Sequence, residues 1–122
     1  MNIKSVYDNA DLEIYVKVLG QSRPADLNPV AIYTPPTGRI GIIRHILICN
    51  TSGASATYRL FLDSDGTTYD ESTALFWDIT VAANTTIATV AQAWDLRNPG
   101  NLAVRSSVAS ALTFTVFGIE LK

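Results

Sequence analysis

Apolar residues recur at every second position along most of this chain, and that spacing constrains its fold more than any other feature. Successive side chains of a strand point to opposite sides, so a period of two marks a strand with one buried face. In ATYRLFLD, Tyr58, Leu60 and Leu62 fall on one face, with Thr57, Arg59 and Phe61 on the other. In LFWDITV, Leu75, Trp77, Ile79 and Val81 share a face opposite Phe76, Asp78 and Thr80. NLAVRSSV sets Leu102, Val104 and Val108 against Ala103, Arg105 and Ser107. GRIGIIRHILICN is apolar on both faces, as expected of a central strand covered on both sides or covered on one side by a neighbouring subunit.

Turn-forming residues punctuate these runs: Pro35, Pro36 and Gly38; Asn50, Ser52 and Gly53; Asp63, Asp65 and Gly66; Asn84; and Asn98, Pro99, Gly100 and Asn101. Strands are expected at 12–19, 30–34, 39–50, 56–62, 74–81, 85–91, 101–107 and 112–121. Short strands between turn signals, with no helical pattern among them, predict a single-domain all-β fold. The expected form is an antiparallel, jelly-roll-like β-sandwich of about eight strands. Gly118, inside TFTVFGIEL, is expected to mark a bulge. The sandwich is expected over residues 30–122. Residues 1–29 read either as an edge strand with a long connection or as an N-terminal arm that docks on another chain, since Leu12, Ile14, Val16 and Val18 alternate ahead of the loop-like QSRPADLNP.

The chain of 122 residues is 48% hydrophobic and 16% charged, enough for one core and too apolar for a disordered tail. A formal charge of −2 lacks the basic excess of a nucleic-acid binder, so no nucleic-acid partner is expected. Its single cysteine, Cys49, cannot form an internal disulfide, and with a single histidine, His45, there is no His/Cys set for a metal. The apolar run from Ile40 to Cys49 is broken by Arg44 and His45 and is about half the ~20 residues of a membrane helix. Asp8, Asp11 and Glu13 interrupt the start where a signal peptide needs an apolar stretch. The expectation is a protein made in the cytoplasm, with no membrane partner.

Several constellations bear on chemistry. Asp63, Asp65, Asp70 and Glu71 begin like a calcium loop but lack its later ligands, so a solvated hairpin loop is expected and no metal. His45 has no second histidine and no nucleophile motif beside it, so no catalytic residue is expected. Gly38-Arg39-Ile40-Gly41 is too short to cradle a phosphate, and no cofactor is expected. Trp94 and Asp95 are candidate glycan contacts, against the commoner outcome of a tryptophan that plugs the end of a sandwich.

Taken together, Leu19-Gly20-Gln21, Tyr33-Thr34-Pro35 through Gly38, Cys49-Asn50, Thr57-Tyr58-Arg59, Ala74 to Asp78, Ala83-Asn84-Thr85-Thr86 and Phe117-Gly118-Ile119-Glu120 give the chain a resemblance to a family of small tailed-bacteriophage virion proteins. It covers residues ~17–122 and rests on turn and strand features. The resemblance implies a non-enzymatic β-sandwich built into a virion. It would be a capsid decoration (cement) protein, a homotrimer seated on the phage major capsid protein, or else a tail or fibre module that recognises a host-surface glycan. Candidate interface residues are Phe61, Phe76 and Phe117, which lie opposite the expected core faces, and Val6, Tyr7, Leu12, Ile14 and Tyr15 of the N-terminal segment.

Overall fold

The computed structural model describes residues 13–122. Eight strands follow one another: β1 (Ile14–Ser22), β2 (Val30–Tyr33), β3 (Ile40–Asn50), β4 (Ala56–Asp63), β5 (Ala74–Val81), β6 (Thr86–Arg97), β7 (Asn101–Ser106) and β8 (Leu112–Leu121). They form two four-stranded sheets, in the orders β1-β8-β3-β6 and β2-β7-β4-β5, and every pairing is antiparallel. Each connection except β4–β5 carries the chain from one sheet to the other. This is the jelly-roll arrangement, in which two sheets bury their facing sides against each other.

The alternation seen in the sequence becomes the core. Ile43, Ile46 and Ile48 of β3, Tyr58 and Leu60 of β4, Leu102 and Val104 of β7, and Leu112, Phe114 and Val116 of β8 all point into the space between the sheets and are buried. Tyr58 meets Phe114 edge-on across that space at 5.9 Å between ring centroids. β3 lies between β8 and β6, as its two apolar faces predict.

Three elements differ from the reading of the sequence, each for a local reason. Residues 14–22 pair along β8 from Ile14↔Leu121 to Ser22↔Phe114, so of the two readings of residues 1–29 these residues take the edge strand, which adds to the sandwich expected over 30–122. β6 runs on to Arg97: residues 91–93 stand opposite the single residue Arg44, and Ala93 has φ +60°, which breaks the period of two midway. In β5, Trp77 and Asp78 together stand opposite Arg59, and Asp78 takes φ +54°. This bulge resets the alternation. Phe76 therefore turns inward, opposite Leu60 and tilted against Tyr58, while Leu75 and Trp77 turn outward, the reverse of the expected faces.

Gly118 does lie beside a bulge, but the extra residue is Arg44 on the neighbouring β3, between the pairs Ile43↔Gly118 and His45↔Phe117. A Cβ at Gly118 would run into the backbone carbonyl of Ile42, which is why glycine is needed there.

Candidate interaction surface

The outer face of the first sheet is unusually apolar. Val16 is 81% exposed, Ile14 59% and Val18 51%, and the register sets them beside Ile119, Leu121 and Phe117 of β8. Arg44 and His45 are both exposed because the β3 bulge lies at Arg44. With Val16, Lys17, Phe117 and Ile119 they line a shallow hollow of about 520 Å³. Its lining is mostly apolar, with Arg44 and His45 exposed beside it.

β5, at the edge of the other sheet, also exposes apolar side chains, with Ile79, opposite the buried Tyr58, on the inner side of the strand. Leu75, Trp77 and Ile79 of β5 are each 38–41% exposed. Arg59 lies over the Trp77 ring, 3.6 Å from its centroid, and forms a two-pronged pair with Asp78: Nε donates to Oδ1 at 2.7 Å and Nη2 to Oδ2 at 3.0 Å. The Arg59 bonds hold the Asp78 carboxyl below the usual aspartate range despite some desolvation. Arg105 approaches the same carboxylate at 4.0 Å.

The candidate interface residues separate into three groups. Ile14 and Phe117 share the outer face of the first sheet. Tyr15, Phe61 and Phe76 are used inside the chain. Tyr15 lies beneath Arg39, 4.4 Å from guanidinium to ring centroid. Phe61 is 1% exposed, covered on the outer side of the second sheet by Tyr69 and Trp77 at 6.1 and 6.3 Å. Phe61 was expected at an interface because nothing in the strand itself shows that the following loop folds back over it. Val6, Tyr7 and Leu12 lie outside the described residues.

The glycan candidates do not form a pair. Trp94 stands opposite Ile43 and packs against the core, whereas Asp95, next along the strand, points to the other face and is exposed. Trp77 is the exposed tryptophan, and only knowledge of the Asp78 bulge would have singled it out.

The acidic loop after β4 spends its carboxylates on its own backbone. Asp63 accepts from the amides of Gly66 (3.1 Å), Thr68 (2.9 Å) and Asn101 (3.2 Å). Asp65 accepts from Thr67 at 2.8 Å and Thr68 at 3.0 Å, and Asp70 from Ser72 at 2.8 Å. Bonds from the Thr68 hydroxyl and the loop amides hold the Asp65 carboxyl down to about 2. Among the described residues, no three His, Cys, Asp or Glu side chains stand together as a metal-holding group.

At the end of the sandwich near the β2–β3 turn, Glu120 of β8 is 1% exposed and bridges the two sheets. The Tyr33 hydroxyl, from β2 of the second sheet, donates to Oε2 at 2.8 Å; Arg39 Nη1 donates to Oε1 at 2.8 Å, and Lys17 Nζ stands 3.6 Å away. Burial acts to raise the Glu120 pKa, but the Tyr33 and Arg39 bonds and the two cations outweigh it and leave it below the usual value. The Tyr33 phenol is pushed above its ordinary range, first by burial and then by Glu120. Sequence reasoning passed over this group because its members are scattered from residue 17 to residue 120.

No protein-family model matches the chain, and no curated protein matches it. Among solved structures it is similar to a chain described as "Structure of infectious bursal disease virus Gx strain", with 9% identity and a TM-score of 0.46. The match covers 91% of this chain and 32% of that one, so this chain spans about a third of that chain's length.

Proposed function

We propose that this chain is a non-enzymatic structural component of a tailed-phage virion, a head decoration protein that binds the major capsid protein lattice as a homotrimer. The observation that carries the reading is the exposed apolar outer face of the first sheet, where Ile14, Val16 and Val18 lie in water on a well-packed jelly roll. Contiguous exposed apolar surface on a soluble fold marks a place where another protein sits. Jelly rolls serve in viral capsids and in lectins alike, so the architecture permits the reading without choosing it. The sequence resemblance to small virion proteins favours a place in a virion. After synthesis in the host cytoplasm, a protein that binds only the assembled lattice stabilises it by mass action against expansion and rupture.

Labelling intact virions for this protein and imaging them tests the reading. Hundreds of copies spread over the head are expected. A dozen or fewer, confined to the tail, would replace it with the tail module that recognises a glycan.

A further inference from the structure

The outer face of the first sheet is apolar well beyond β1. The register sets Ile14, Leu121 and Ile40 in one row across β1, β8 and β3, and Val16, Ile119 and Ile42 in the next. These side chains alternate with Ile43 and Val116, which face the other sheet, so both rows lie outside. Lys17 is turned the other way, towards Glu120. Among the described residues, the charges on this face are Arg44, exposed at the bulge, with Arg97 and Asp95 opposite Ile40 and Ile42 on β6. The chain reaches the face at its first row. Glu13 N donates to the Lys122 carbonyl at 3.3 Å and Lys122 N to the Glu13 carbonyl at 3.0 Å, one residue before Ile14. The twelve residues before Glu13, MNIKSVYDNADL, hold Ile3, Val6, Tyr7 and Leu12 among Lys4, Asp8 and Asp11. Extended, twelve residues reach about 40 Å. The rows from Ile14 to Val18 take about 13 Å along the strand and about 10 Å across three strands.

We propose that residues 1–12 cover this face of their own chain in the free protein, and that a docking partner must displace them to reach it. Three observations favour this occupant. The segment joins the face at its edge and is long enough to cross it. It brings apolar side chains to an apolar surface. It carries two acids to one lysine, where the face carries two arginines to one acid, so the charges are complementary. Tethering adds to these. A segment tied one residue from the patch meets it at an effective concentration on the order of millimolar, so a separate protein at micromolar concentration must bind about a thousandfold more tightly. The inference deepens the proposed function, whose docking face it regulates, and rests on that reading where the lattice is concerned.

The test places a photoreactive side chain in the full chain, Tyr7→p-benzoylphenylalanine. Illumination is expected to give a cross-linked product of monomer mass, joined to the outer face at Val16, Phe117 or Ile119. A product of dimer mass would give the face to a neighbour's segment, and a link elsewhere or none at all would leave it uncovered; each overturns the proposal. An apolar dye gives a second readout, taken on samples that melt cooperatively. The chain without residues 1–12 is expected to bind several-fold more dye than wild type. Val6→Asp with Tyr7→Asp in the full chain should do the same, and covers a truncation that fails to fold. Equal dye binding by variants and wild type overturns the cover. Co-sedimentation with virus particles separates the two readings. Both variants are expected to pellet at lower concentration than wild type; pelleting no better would mean that the lattice does not compete for this face. A cross-link that forms in a protein that never pellets sinks the decoration role alone. A wild type that pellets without forming the cross-link sinks the cover alone.

Discussion

Glu120 shows how one charged side chain can hold two sheets together. Its carboxylate receives the Tyr33 hydroxyl from the second sheet and Arg39 from the β2–β3 turn, so its loss leaves a buried phenol without an acceptor and a guanidinium without its partner. Glu120→Ala is expected to cost about 1–3 kcal/mol, the usual penalty for stranding buried polar groups, read as a lower denaturation midpoint in urea. Tyr33→Phe removes only one of the two bonds and is expected to cost less. The pH dependence follows from the lowered pKa. A carboxyl depressed below its ordinary 4.5 lends stability above that value and loses it as the pH falls through the folded pKa. The gap in midpoint between wild type and Glu120→Gln should therefore be full at neutral pH and shrink as the pH falls below 4.5 and through the lowered folded pKa. A gap that does not change with pH would mean that the ion pairs contribute nothing.

At the level of strands, bulges account for most of what the sequence leaves unread. Strand positions follow from alternation and turn residues, and β5 and β8 run over the residues expected for them. Which face a residue takes depends on counting from the nearest bulge, and nothing in LFWDITV announces that Asp78 takes a positive φ. One extra residue exchanges inside for outside, so Phe76 and Trp77 trade places. The surface group around Trp77 was hidden for that reason, and the Glu120 group because its partners are brought together only by the pairing of distant strands. Gly118 is legible as a special position but not as the neighbour of a bulge on β3. Gly118→Ala forces a Cβ against the Ile42 carbonyl, which is backbone and cannot step aside. A loss of about 1–3 kcal/mol, as for other overpacked sites, is expected by thermal melting. The β4–β5 loop gives the opposite forecast. Its carboxylates already accept loop amides, so chelators are expected to leave the melting temperature unchanged. A fall on chelation that calcium alone reverses would show a cation held there.

Across the whole molecule, β8 lies between β1 and β3 and is the last of the eight strands in the chain. Pairing Ile14 with Leu121 closes a loop of nearly the entire described sequence, and contacts so distant along the chain make folding slow. The order of synthesis makes this sharper. While the ribosome is still adding residues after β7, β1 has no neighbour in its sheet, β3 lacks one of its two, and the side chains meant to face Phe114 and Val116 are open to water. The nascent chain thus carries unpaired strand edges until β8 emerges, the condition in which chains aggregate or engage chaperones. A chain stopped just before Leu112 is expected to show no cooperative unfolding transition, and supplying residues 112–121 as a separate peptide should restore one. A stopped chain that melts cooperatively by itself would show that the seven earlier strands fold without waiting for the last.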